Sequence, residues 1–245
     1  MGLFSTLFQN KHPKCSLSSL NTDIHSHLLP GIDDGAKSID HTIGMLKKME
    51  VLGFKKLIFT PHVMSGVYDN TSEIILNKLA EVQQVIKALE INLEVDASAE
   101  YFFDETLFKR IATRDLLPFH KNHILFEFSF HTRPDRFEEL IFQLNTAGYQ
   151  PVLAHFERYL YFHNKPEVLR QLKDLGCMIQ VNWLSFTGHY GPEVKKQAQF
   201  LAKQNAIDVL GTDCHRIQHL EILENFLKSK EASHLLNRKY LNNLV

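Results

Sequence analysis

The sequence predicts an α/β protein whose strands run parallel and close into a barrel of seven. Two observations lead there. From residue 22 onward, short apolar runs alternate with amphipathic helical patterns, the arrangement of successive βαβ units. Each run also ends in a polar side chain suited to a metal or a phosphate. The alternation alone does not separate a closed barrel from an open sheet. The strand ends do, because a barrel gathers them on one rim whereas an open sheet spreads them along an edge.

Asp23-Ile24-His25 forms the first short run. Ser38 then reads as the N-cap of a helix carrying Ile39, Ile43, Leu46 and Met49, stopped by Gly53. Lys56 to Thr60 is the second strand. A longer helix from Thr71 or Ser72 places Ile75, Leu79, Val82, Ile86 and Leu89 on one face. Asn92 to Ala97 and Ile124 to Phe126 are the third and fourth strands, and Pro134 opens a helix with Phe137, Leu140, Ile141 and Leu144. Pro151 to Ala154 is the fifth strand. A helix from Pro166 to Leu175 leads to Met178–Val181, and another from Pro192 to Gln204 leads to Val209–Gly211. Helices near Leu220–Leu227 and at the C-terminus complete the chain. The strands read as apolar runs rather than alternations, as expected where both faces are covered.

Bulk properties confine function to a local site. With 27 Lys and Arg against 28 Asp and Glu, no global field points to nucleic acid or an anionic membrane. Cys15, Cys177 and Cys214 are scattered, which fits a reducing, cytoplasmic setting rather than a disulfide framework. No cysteine is followed six residues later by arginine, so a thiol phosphatase loop is absent. Cys214 reads as a packing residue. Residues 1–21 form an N-terminal arm whose Leu3, Phe4, Leu7 and Phe8 fall at helical spacing; this apolar stretch is far short of a membrane span, and the arm is a candidate for peripheral docking, with a loosely ordered terminus as the alternative. Residues 22–245 form the barrel domain.

The strand ends carry five histidines and four carboxylates: His25, His27, Asp34, His62, Glu100, Glu127, His155, Asp213 and His215. Spacing by two sends the imidazoles of His25 and His27 to one strand face, and Asp213 and His215 repeat that geometry on the last strand. The turn Pro30 to Gly35 can fold Asp34 back over the first strand end, with Asp33 left to the turn itself. A carboxylate closing an apolar run, as at Glu100 and Glu127, is costly unless a cation or a basic side chain meets it. Imidazole and carboxylate together suit manganese, iron or zinc. Nine ligands are too many for one ion and suit two or three. Such a cluster fits hydrolytic phosphoryl transfer with a metal hydroxide as nucleophile. Arg158, three residues beyond His155, is placed to fork onto a phosphate, with an ion pair to Glu157 or Asp135 as the alternative. The other histidines, among them His41, His189 and His219, read as loop or helix-face residues.

The stretch Asp23-Ile24-His25-Ser26-His27-Leu28-Leu29-Pro30-Gly31-Ile32-Asp33-Asp34-Gly35 resembles the opening motif of the polymerase and histidinol phosphatase (PHP) superfamily. It is most similar to the bacterial protein-tyrosine phosphatases of capsule and exopolysaccharide synthesis. The similarity continues through Thr60-Pro61-His62, Ala99-Glu100, Phe126-Glu127-Phe128, Ala154-His155-Phe156-Glu157-Arg158-Tyr159 and Thr212-Asp213-Cys214-His215. This resemblance implies a distorted (β/α)7 TIM-like barrel and a trinuclear site, usually loaded with Mn2+. Carried onto this chain, it gives His25, His27, Glu100 and Asp213 to one ion, Glu100, Glu127 and His155 to a second, and Asp34, His62 and His215 to a third. His155, Asp213 and Arg158 are the expected catalytic residues, Arg158 as the phosphate ligand. The implied substrate is a tyrosine-phosphorylated protein, notably a bacterial tyrosine kinase. A small-molecule phosphomonoesterase of histidinol phosphatase type and a non-catalytic scaffold are the alternatives. After His215 the chain reads Arg216-Ile217-Gln218-His219 in place of the Arg-Pro-Pro stretch of some members, leaving Arg216 as a substitute second arginine.

Overall fold

The computed structural model describes Leu17 and residues 20–245. The arm's apolar residues 3–8 and Cys15 therefore lie outside the described residues. Leu17 and Leu20, on the arm side of residue 22, are buried in the core.

The strand segments are β1 (Thr22–Asp23), β2 (Lys56–Phe59), β3 (His62–Val63), β4 (Glu94–Ala97), β5 (Glu100–Phe102), β6 (His123–Glu127), β7 (Gln150–Leu153), β8 (Met178–Asn182) and β9 (Val209–Gly211). All their pairings are parallel, in the orders β1-β2-β4 and β3-β5-β6-β7-β8-β9. β2 and β3 are halves of one strand path broken at Thr60-Pro61, and β4 and β5 are halves of another broken at Ser98-Ala99. Pro61 explains the first break, since it has no N–H for the ladder. Counted as paths, the strands are the expected seven. Ser26 and Cys214 form a parallel bridge that joins the first path to the last. Backbone bonds from His27 N–H to Cys214 O (2.9 Å) and from Asp213 N–H to His25 O (2.8 Å) extend that seam. Buried Asp23 reinforces it by accepting both the backbone N–H and the hydroxyl of Thr212, at 2.9 and 2.6 Å.

Helices α1 (Ile39–Leu52), α2 (Ser72–Ala88), α3 (Glu105–Thr113), α4 (Phe137–Thr146), α5 (Pro166–Asp174), α6 (Pro192–Lys203), α7 (Ile217–Phe226) and α8 (Lys230–Leu236) follow the strands. Ser38 caps α1 through its hydroxyl, and Gly53 ends it in the left-handed region at φ 103°. The buried face is Thr42, Met45, Leu46, Met49 and Leu52, turned slightly from the expected one. In α2 the buried stripe is Ile75, Leu79, Val82 and Ile86, while Leu89 caps the helix and stays exposed. α4 starts at Phe137 rather than Pro134. α3 has only Leu107 and Ile111 buried, too thin a stripe to be read from sequence, although Asp104 caps it with bonds to Thr106 N–H and Leu107 N–H.

The core has two parts. A large cluster packs helices against the outer strand faces, including Leu57, Phe59, Phe126 and Leu153. A small one, Ile24, Ile58, Leu125, Val152, Ala154 and Val209 with Phe119, comes from the opposite face of those strands and fills the barrel's lower interior. Further along the same inward positions stand Glu127, Gln180, Asn182 and Asp213. The interior is thus apolar below and polar at the carboxyl rim.

Candidate metal centre

All nine predicted ligands converge at that rim. His25 and His27 follow β1, Asp34 comes from the turn before α1, and His62 and Glu100 begin β3 and β5. Glu127 ends β6, while His155 and Asp213 follow β7 and β9 in left-handed backbone, at φ 33° and 50°. For residues other than glycine that geometry is strained by roughly 1–3 kcal/mol, and it is a feature of functional sites. Two glycines make room for the histidines. A Cβ on Gly35 would lie 2.0 Å from the His27 carbonyl oxygen, and one on Gly211 2.7 Å from the His25 Cβ.

Hydrogen-bond partners fix three imidazole tautomers. His25 Nδ1 faces Gln180 Oε1 at 3.1 Å, and that oxygen is an acceptor because it also takes the His155 backbone N–H at 2.7 Å. His27 Nδ1 faces Asp33 Oδ2 at 2.8 Å, and His215 Nδ1 faces the Asp213 carbonyl at 2.9 Å. In each neutral ring the proton must sit on Nδ1, so the Nε2 lone pair points inward.

Those lone pairs meet others. The Nε2 atoms of His25 and His27 are 3.2 Å apart. His25 Nε2 lies 3.2 Å from Glu100 Oε2 and 3.5 Å from Asp213 Oδ1, and His27 Nε2 lies 3.4 Å from both oxygens. His62 Nδ1 is 3.2 Å from Glu100 Oε2 and 3.1 Å from Glu127 Oε1. His62 Nε2 and His215 Nε2 approach Asp34 Oδ1 at 3.5 and 3.4 Å. His155 Nε2 is 2.9 Å from Glu100 Oε1 and 3.7 Å from Glu127 Oε2. Glu100 Oε2 and His62 Nδ1 are buried without a hydrogen bond. Lone pairs held this close in a buried place repel one another, and cations between them turn the repulsion into coordination.

The donors form overlapping groups, His27–Asp34–His62–His215, His25–Glu100–His155, His25–His27–Asp213 and His62–Glu100–Glu127, each with its donor atoms within 4.8 Å of one another. The set is nitrogen and oxygen throughout, so it fits divalent manganese, iron or zinc. The local field agrees. Burial and His27 oppose a charge on His62, yet Glu100 and Glu127 outweigh them and push its pKa up to about 9. Burial alone would raise the carboxyls of Glu100 and Asp213, but the surrounding imidazoles, His25 foremost, hold both well below the usual range. The pocket therefore favours positive charge in either form, proton or metal.

Arg158 stands beside the cluster. Its Nη1 donates to Asp213 Oδ2 at 3.1 Å, so its partner is neither Glu157 nor Asp135. Glu157 is buried and turned elsewhere, accepting the Asn182 N–H and the Ser185 hydroxyl, and burial raises its pKa. The guanidinium carbon sits 4.2 Å from the Phe130 ring centroid and 4.4 Å from that of Tyr190. A cavity of about 720 Å3 opens over the cluster, lined also by His41, Tyr190, Arg216 and His219. Arg216 Nε donates to His219 Nε2 at 3.1 Å. Cys214 is buried against Met45, with its thiol pKa pushed up by burial, as expected of a packing residue.

Sequence reasoning missed several supporting residues. Asp33, read as a turn residue, also bonds the Gly35 N–H, so one carboxylate serves both turn and histidine. Gln180 left a trace, a polar residue inside an apolar strand. Phe130 and Tyr190 left none, since aromatic loop residues are common. His189 and His219, given a bland reading, line the cavity.

Fold and site together define a class: a TIM-like α/β barrel with a candidate metal cluster at the carboxyl ends of its strands. Residues 21–243 match the family model for capsular polysaccharide synthesis, CpsB/CapC, and the chain belongs to that family. It is 30% identical over 219 residues to the tyrosine-protein phosphatase YwqE of Bacillus subtilis, covering 89% of this chain and 84% of that protein. Identity to the tyrosine-protein phosphatase CpsB of Streptococcus pneumoniae is 26% over 201 residues, 80% of this chain and 83% of the other. Among solved structures, a chain from the work on YwqE and CpsB, described as metal-dependent tyrosine phosphatases, superposes with a TM-score of 0.75 at 29% identity, covering 89% of this chain and 96% of that one. A histidinol phosphate phosphatase from Lactococcus lactis shares the fold alone, at TM-score 0.52 and 14% identity over 84% of this chain and 92% of that one. Among the described residues no helix is long and apolar enough to cross a membrane.

Proposed function

We propose that this chain is a metal-dependent protein-tyrosine phosphatase whose substrate is a phosphorylated protein, notably a tyrosine kinase of capsule or exopolysaccharide synthesis, in the cytoplasm. The observation that carries the reading is the convergence of nine candidate ligands beside an arginine whose Nε and Nη2 make no hydrogen bond among the described residues, in a chain whose relatives are named tyrosine-protein phosphatases. The working unit is the barrel of residues 22–245, with residues 1–21 as an appended arm.

In this reading His25, His27, Glu100 and Asp213 hold one manganese ion, Glu100, Glu127 and His155 a second, and Asp34, His62 and His215 a third, with iron and zinc as the alternatives. Pairwise distances support this grouping, joining His25 to Glu100 and Asp213, His155 to Glu100 and Glu127, and Asp34 to His62 and His215. His62 also groups with Glu100 and Glu127, and His27 with Asp34, His62 and His215. When bound, such ions supply a lowered pKa for water and neutralise charge on the phosphate oxygens. The chain's own residues do the rest. Gln180 and Asp33 keep the Nε2 lone pairs of His25 and His27 turned inward. Asp213 gives one oxygen to the cluster and the other to Arg158, which sets the arginine at a fixed distance from the ligands. Arg158 directs its free N–H groups at the phosphate.

Incubating purified, manganese-loaded protein with a tyrosine-phosphorylated peptide tests the reading. Phosphate release that stops on chelation and returns with manganese is expected. No release from peptide or protein, with metal content confirmed by elemental analysis, would sink it.

A further inference from the structure

Phosphate recognition by an arginine requires that the guanidinium be held before the ligand arrives, because an unrestrained side chain loses considerable rotamer freedom on binding. An ion pair is the usual restraint, and Arg158 has one with Asp213. That restraint is compromised by its position. Asp213 Oδ1 faces His25, His27 and His215, so the carboxylate's charge is shared with whatever cations the cluster holds. Cations there also repel the guanidinium.

Two rings supply a second restraint that does not depend on the charge of Asp213. Phe130, from the segment after β6, and Tyr190, from the turn between Gly188 and Gly191, place their ring centroids 4.2 and 4.4 Å from the guanidinium carbon. Each ring has contacts of its own. Phe130 packs against His155 and stacks on Tyr159, whose hydroxyl accepts the Phe128 N–H at 2.9 Å. Tyr190 packs edge-on against His189, and its hydroxyl reaches Asp213 Oδ2 at 3.5 Å. Among the described residues, Nε and Nη2 of Arg158 make no hydrogen bond, and the side chain retains 24% of its exposure where it lines the cavity.

We infer that Tyr190 and Phe130 are positioning residues that clamp Arg158 as a preset phosphate fork, acting through their ring faces. The inference rests on Arg158 as the phosphate ligand. The rings hold the plane of the guanidinium, and Asp213 sets its rotation within that plane. The free edge is left for an oxyanion.

The test is binding of inorganic phosphate to manganese-loaded protein by calorimetry, alongside KM and kcat for a phosphotyrosine peptide, with melting temperature and metal content as controls. Tyr190→Leu is expected to weaken phosphate binding by about three- to thirtyfold, the range from an exposed to a desolvated cation–π contact, and to raise KM more than it lowers kcat. Tyr190→Phe, which keeps the ring, should stay within about twofold of the parent. Phe130→Leu provides a second, independent removal. The deciding measurement is a double-variant cycle: in an Arg158→Ala background, Tyr190→Leu should cost nothing further. An equal loss in both backgrounds would overturn the clamp. So would Tyr190→Phe behaving like Tyr190→Leu, since the hydroxyl on Asp213 would then be the operative group. Phosphate binding is read without turnover, so a failure of the tyrosine phosphatase reading would leave this result standing and be seen separately in the peptide assay.

Discussion

Arg158 Nη1 lies 3.1 Å from Asp213 Oδ2, while the other oxygen of the same carboxylate lies within 3.5 Å of His25, His27 and His215. One side chain therefore joins the candidate metal cluster to the candidate phosphate ligand. Asp213→Asn should lower both metal content and phosphate affinity and reduce turnover by orders of magnitude. Arg158→Ala should lower phosphate affinity alone. Elemental analysis and phosphate titration of both variants check this; full metal content and normal phosphate binding in Asp213→Asn would separate the two functions.

Asp33 is the residue whose role depends most on its ionised form. Oδ1 accepts the Gly35 N–H, and Oδ2 accepts from His27 Nδ1 and the His62 N–H. An asparagine there must turn its NH2 group toward one of these donors, whichever way it faces. Asp33→Asn is expected to weaken metal binding by about 10–100-fold, the usual loss when a ligand histidine's supporting partner is removed. Metal titration of the stripped protein would show it, and unchanged affinity would mean that Asp33 serves only the turn.

Gly35 touches His27 so closely that any side chain must move backbone. Gly35→Ala should displace the Asp34 turn, with loss of metal content exceeding that of Asp33→Asn. A variant with full metal and an unchanged melting temperature would show that the turn relaxes freely.

Ligands that bind only the folded chain stabilise it by mass action. Chelation should therefore lower the melting temperature, and returning manganese should restore it, the rise following the logarithm of the free concentration once sites are filled. A melting temperature indifferent to chelator would argue that the inward lone pairs are satisfied without ions.

His123 gives a pH dependence away from the cluster. Burial, with His120 beside it, lowers its pKa from 6.5 to about 4. Below pH 6.5 the unfolded chain takes up a proton that the folded chain refuses, so stability is full above that value and is lost as pH falls toward 4. The contribution is at most about 3 kcal/mol. His123→Phe should flatten this acid limb in melts between neutral pH and the acid range. Because every other titratable group is common to the two proteins, the difference between them isolates position 123; parallel curves would contradict it.

Much of this protein was legible in its sequence. The seven strand paths, most helices and the nine converging candidate ligands follow from apolar period, caps and polar strand ends, since burial and hydrogen-bond satisfaction act locally and leave a mark in composition. Tertiary structure decided the rest. It closed the barrel through Ser26 and Cys214, broke the second and third paths, and turned His155 and Asp213 into left-handed backbone. It also brought Asp33, Gln180, Phe130 and Tyr190 to the histidines and the arginine they support. The candidate ligands were visible because chemistry restricts which residue types can serve. Their supports were not, because a carboxylate, an amide or an aromatic ring becomes a positioning group only through a neighbour that chain folding, not chain order, puts within reach.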